Sequence, residues 1–208
     1  TSRSLATAQR SGGAVLDIAL KFLADEMNAH LERRLGAAGA GKAVASALVD
    51  DGGKWLLPDN QLGLTLVALD EERTLRAQLP ERVTIASREV ELHPPLQLNL
   101  VLLLAARFAR YDQALGFLSQ GLVFFQAHPV FTPSTHPALD ARIDQLVVEM
   151  LAYGPEQLNQ TWACLGAKYL PSALYRVRMV ALQDREPQSI GRPIEEVRTG
   201  LGGKVFVA

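Results

Sequence analysis

Between Leu96 and Ala106 the chain reads Leu-Gln-Leu-Asn-Leu-Val-Leu-Leu-Leu-Ala-Ala. Leu96, Leu98, Leu100, Leu102 and Leu104 recur at every second position, so an extended segment here carries leucine along one whole face. The other face starts polar at Gln97 and Asn99 and turns apolar at Val101 and Leu103. A strand apolar on both faces for half its length belongs in the middle of a sheet covered on both sides. Pro94-Pro95 keeps a helix from running in from upstream. Each buried leucine contributes roughly 1.5–3 kcal/mol, and a slip by one residue would turn all five to the wrong side, so the register is firmly fixed. The run is too short, and too polar at Gln97 and Asn99, to cross a bilayer.

The 208 residues suit one domain, which at this size buries roughly 70% of its unfolded surface. A net charge of −1 gives no electrostatic pull toward nucleic acid. The single cysteine, Cys164, excludes an internal disulfide framework and fits a reducing compartment. Residues 1–13 lack the apolar stretch of a signal peptide and read as a flexible leader.

From Ala14 the period becomes helical. Leu16, Leu20, Leu23, Met27 and Leu31 draw one stripe, with Asp17, Lys21, Asp25, Asn28 and Glu32 on the wet side. Gly36 should end this helix. Short strands are expected at Val44–Val49 and Lys54–Leu57, with Asp50–Gly53 as the turn between them. Pro58-Asp59-Asn60 leads into a strand at Leu62–Leu69. Residues 74–93 read as a loop with a hairpin arm around Val83–Ile85 and Val90–Leu92. After the central strand, Tyr111, Leu115, Leu118, Leu122 and Phe125 predict an amphipathic helix, stopped before Pro129. Ile143–Tyr153 leans to strand through Val147 and Val148. Pro155 opens a short helix with Leu158, Trp162 and Leu165 inward, closed by Gly166. Leu174–Leu182 is the last strand, with Tyr175, Val177 and Met179 on one face and Arg176 and Arg178 on the other. That arginine row is either a solvated face or an interface. From Pro187 the texture turns to proline and glycine, then ends on the apolar, β-prone Val205-Phe206-Val207. A segment of this kind builds no core of its own and reads as an extended arm laid on another surface.

Catalytic motifs fail on context. Gly36-Ala-Ala-Gly-Ala-Gly-Lys42 imitates a phosphate loop, but a helix precedes it and Ala43 stands where a magnesium-binding hydroxyl is needed. A flexible connection is the better reading. Gly116-Phe-Leu-Ser119 has one residue too many for a nucleophile elbow and lies within a helix. Asp70 and Glu71 are adjacent on a strand and so point apart. His93, His128 and His136 each precede proline, and no histidine has a second ligand at metal-site spacing, so structural roles and no metal or cofactor are expected.

The sequence resembles the cap, or tail-terminator, proteins of phage-tail-like contractile injection systems. The resemblance is carried by Pro58–Arg73, Leu98–Ala106, Phe124-Phe-Gln-Ala-His-Pro-Val-Phe-Thr132, Leu158–Gly166 and Pro171–Met179, and covers about Ala14 to Asp184. It implies an α/β (mixed α+β) fold, a central mixed sheet flanked by about three helices. Residues 14–186 would form this domain, followed by the arm 187–208. It also implies a non-enzymatic structural role as a homo-hexameric ring on the distal end of the inner tube and the last sheath layer. Such a ring ends polymerisation and couples tube to sheath, without nucleic acid or membrane insertion. Assembly would be cytoplasmic, in a particle that is released or retained. Trp55, Leu57, Arg176, Arg178, Val205, Phe206 and Val207 are the interface candidates. Two other readings stand beside this one: a tube–baseplate adaptor, and an enzyme with a spatially assembled site. The enzyme would show a polar pocket with perturbed titratable groups; the cap would show large subunit interfaces.

Overall fold

The computed structural model describes residues 14–72, 81–85, 88–92 and 96–182. Its order is α1 (Ala14–Leu35), β1 (Ala43–Ala45), β2 (Gln61–Glu71), β3 (Glu81–Ile85), β4 (Arg88–Leu92) and β5 (Leu96–Arg107). There follow α2 (Tyr111–Ala127), β6 (Val130–Phe131), β7 (Gln145–Leu151), α3 (Pro155–Leu165) and β8 (Ser172–Leu182). Three helices and a six-stranded mixed sheet make an α/β fold, with strand order β1-β2-β5-β8-β7-β6. Only β1 runs parallel to its neighbour; the remaining pairs are antiparallel. β5 sits between the two long strands β2 and β8, where its double-sided apolar pattern places it. The arm at 74–93 contains the expected hairpin. β3 and β4 form a separate two-stranded sheet, with Val83 opposite Val90, and belong to a second unit of the chain.

One face of the six-stranded sheet carries the leucine row. Leu98, Leu100, Leu102 and Leu104 pack with Leu62 and Leu64, with Tyr175, Val177 and Met179, and with Leu146 and Val148. Helices α1 and α2 cover this face. Leu23, Met27 and Leu31 of α1 are fully buried, as the stripe required. On α2 the buried residues are Ala114, Leu118, Gly121, Phe124 and Phe125, while Tyr111 is 70% and Leu115 41% exposed. The helix is therefore turned by roughly 70° from the stripe read in the sequence, at 100° per residue. Close contact decides the orientation. A Cβ at Gly121 would come within 2.8 Å of Leu104 Cδ2, so the small residues mark the side that approaches the sheet.

The other face is covered in part. Leu103, Ala105 and Leu174 lie under Leu48, Leu57 and Trp162, with Leu158 and Leu165 of α3 and Trp55 packed around them. Two expected strands are corrected here. β1 stops at Ala45, because Thr65 Oγ1 donates to the Ser46 carbonyl at 2.7 Å and the chain then bends to bury Leu48. Lys54–Leu57 makes only an isolated bridge between Trp55 and Val49. The turn between them forms as expected: Asp50 Oδ1 accepts from the Gly52 and Lys54 amides, each at 2.9 Å.

Candidate interaction surface

The part of the second face that no other described residue covers is built by the register of four strands. Asp70, Asn99, Arg178 and Val147 form one cross-strand row; Ala68, Val101, Arg176 and Glu149 form the next. Polar residues gather here because the alternation that points Leu98 and Leu100 into the core points Asn99 the other way. Arg178 pairs with Glu149, its diagonal neighbour. Asn99 Nδ2 donates to Glu72 Oε2 at 3.1 Å. Arg176 is exposed and has no ion pair among the described residues. A cleft of about 170 Å³ opens at this end of the sheet, lined by Glu72, Gln97, Asn99, Gln145, Val147 and Arg178. Two buried polar atoms beside it, Asn99 Oδ1 and Arg178 Nε, have no hydrogen-bond partner among the described residues.

The candidates from the sequence separate clearly. Arg176 and Arg178 share this polar half-face. Trp55 is half-buried at the edge of the second core, with the Arg107 guanidinium 4.9 Å from its ring centroid. Arg107 also donates to the Leu57 carbonyl and pairs with Asp59 at 3.0 Å. Leu57 is 0% exposed, so its side chain belongs to the core and not to a docking surface. Its neighbour Leu56 is the exposed one, and alternation along the segment could have signalled this. Val205, Phe206 and Val207, the leader 1–13, the arm from Pro187 and His93 lie outside the described residues.

Among the described residues the catalytic motifs weighed in the sequence are not assembled. Gly36–Ala38 forms one 3₁₀ turn between α1 and β1, a setting that supplies no strand before the glycines. This connection is a packed turn and not the loose linker expected. Asn28 holds it by accepting from the Ala43 amide at 2.7 Å and donating to the Ala43 carbonyl at 2.8 Å. Ser119 donates to the Leu115 carbonyl at 2.8 Å within α2. Among the described residues no group of three His, Cys, Asp or Glu side chains is placed to hold a metal ion, and no helix is long and apolar enough to cross a membrane. The histidines are nevertheless not scattered. His30, buried on α1, stands 6.4 Å from His128, which stands 6.2 Å from His136, measured between ring centroids. Sequence spacing had kept them apart, although His30 directly precedes Leu31 at the end of the buried stripe.

Residues 20–196 match the sequence profile of the Pvc16 N-terminal domain. The chain belongs to this family. The Pvc16-type fold also appears in solved structures. One is the PVC sheath/tube terminator of an extracellular contractile injection system in its extended state. It has 17% identity and a TM-score of 0.57, over 88% of this chain and 63% of that one. Another is the anti-feeding prophage cap, a tube-terminating cap. It has 19% identity and a TM-score of 0.53, over 84% of this chain and 58% of that one. The Pvc16-family chain thus spans about three-fifths of the length of these structures, and at such identities the likeness is one of fold. Comparison with curated protein sequences gives no match.

Proposed function

We propose that this chain is the terminating cap of a contractile injection particle. The observation that carries the reading is the Pvc16 N-terminal match over residues 20–196, joined to a fold shared with a sheath/tube terminator and a tube-terminating cap. Copies close into a six-fold ring, assembled in the cytoplasm, that sits on the last tube ring and the last sheath layer. Termination is then a geometric function. The ring offers one side that binds the growing end and another that offers no seat for further subunits. Catalysis is not required, and the failed motifs at Lys42 and Ser119 agree with that. The polar half-face with Arg176 and Arg178 is the candidate interface, since a row of charges fixes orientation and register between partners. The arm from Pro187, ending in Val205-Phe206-Val207, is the second.

The test is to omit the chain from particles assembled with tube and sheath, and to measure the mass of the purified protein. Omission should abolish the fixed particle length, and the protein should form rings that appear at the distal end when added back. A protein that stays monomeric at all concentrations, with particle length unchanged in its absence, would overturn the reading.

A further inference from the structure

Three histidines from distant parts of the sequence meet at one corner of the helical layer. His30 of α1 lies 5.4 Å from the Phe124 ring of α2 and 6.4 Å from His128 at the end of α2. His128 is 6.2 Å from His136, which stands 4.9 Å from Phe131 of β6 and 6.1 Å from Phe22 of α1. Phe22 closes the circuit, 5.6 Å from Phe131. Six rings from α1, α2, β6 and the following loop thus form one box. A neutral imidazole packs in such a box much as a phenylalanine does; an imidazolium must be solvated or paired.

The box makes no provision for a second proton on His30. This side chain is 5% exposed, and its Nε2 has no hydrogen-bond partner among the described residues. Among the described residues the charged and titratable groups that act on it are basic: Arg33 and Arg34 from α1 itself, and His128 from the end of α2. Its other ring contact on α2, Phe124, carries no charge. Behind His128 stands His136, whose Nδ1 is 2.9 Å from Thr135 Oγ1. Protonation of the cluster therefore gathers like charges around a buried ring.

We infer that this box is an acid-sensitive latch that holds the β6 corner against α1 and α2 while its imidazoles are neutral and opens when they take up protons. The lever is well placed. β6 is the outermost strand of its edge and pairs with β7 at only Val130 and Phe131, helped by the Val148 amide donating to the Pro129 carbonyl at 2.8 Å. Releasing it bares Phe131 and Phe22, both buried in the neutral state, together with the edge of β7. Burial first, then Arg34, Arg33 and His128, hold His30 below its ordinary pKa of 6.5. The native state thus keeps His30 neutral where the unfolded chain already binds a proton. The stability contributed by the neutral ring is complete above pH 6.5 and is lost progressively below it. This inference stands apart from the cap reading and does not need it.

The experiment is a proton NMR titration of the full chain from pH 8 to 5. It follows the imidazole C2 protons and the Phe131 ring resonances, alongside thermal midpoints of wild type and His30→Phe. His30 should take up its proton below its ordinary pKa of 6.5, and the Phe131 ring resonances should lose their dispersion in the same step. His30→Phe keeps a permanently neutral ring in the same space. Its fall in Tm between pH 7.5 and 5.5 should be smaller than that of wild type by about 2–5 °C, the shift expected when up to about one pKa unit of linkage free energy is lost in that window. Phe131 resonances that stay dispersed after His30 has titrated would overturn the latch, as would equal acid-induced falls in Tm. Should His30→Phe fail to fold, the wild-type titration decides alone.

Discussion

A Cβ added to Gly39 would stand 2.2 Å from the Leu31 carbonyl oxygen and 2.5 Å from its carbon, so the turn after α1 lies directly on the end of the helix. Those neighbours are backbone and cannot swing aside. Gly39→Ala should therefore lower stability by about 1–3 kcal/mol, the usual cost of overpacking, although its own φ of −91° suits alanine. Gly36→Ala is the comparison: it meets nothing within 4 Å and pays only for its left-handed φ of 60°. Chemical denaturation of the two variants checks the ranking, and a milder effect at Gly39 than at Gly36 would contradict the packed-turn account. Asn28 matters in the same turn. Its side chain replaces a strand partner for Ala43 at both amide and carbonyl, which is how a glycine-rich run without apolar content becomes ordered. Composition alone showed only the glycines; the polar residue that fixes their connection, Asn28, sits on α1, 15 positions before its partner Ala43.

At the scale of elements, β5 was the most legible part of the chain because its leucines obey one period on a strand with neighbours on both sides. Leu100→Ala or Leu102→Ala should cost about 2–5 kcal/mol, since a sheet flanked by long strands and two helices has little freedom to collapse into the void. A thermal midpoint that hardly moves in either variant would mean that the leucine row does not organise the core. The orientation of α2 was less legible for a definite reason. Hydrophobic spacing weighs Tyr111, Leu115 and Leu122, whereas close helix–sheet approach is made by Ala114 and Gly121, which hardly register on such a scale. Segments 46–49 and 54–57 failed as strands because Leu48 and Leu57 leave the extended path to fill the second core. A tertiary demand overrode local β-propensity there. The polar half-face was readable only as an alternation at Arg176 and Arg178. Its cross-strand partners Asn99 and Glu149 come from registers that sequence does not reveal.

For the whole molecule, the edges of the sheet bear on the proposed role of residues 187–208. β1 pairs with β2 only at Leu62, Gly63 and Leu64, although β2 runs for 11 residues. Beyond the bulge between Leu66 and Ala68, the stretch through Leu69 has no strand beside it on that side among the described residues, and Leu69 is exposed. An extended segment can add to such an edge through backbone hydrogen bonds, with alternate side chains reaching the two faces. Val205-Phe206-Val207 has the apolar, β-prone composition for this. The same edge recurs on every copy of a ring, so a weak contact gains from high effective concentration. Deleting Pro187–Ala208 should therefore leave the melting of the separate chain nearly unchanged while weakening ring formation or docking onto tube and sheath. Mass measurement across a concentration series, set beside thermal melts of the same samples, separates the outcomes. A truncated chain that no longer folds would place the arm in its own core, and one that assembles as well as the full chain would leave the arm without a role.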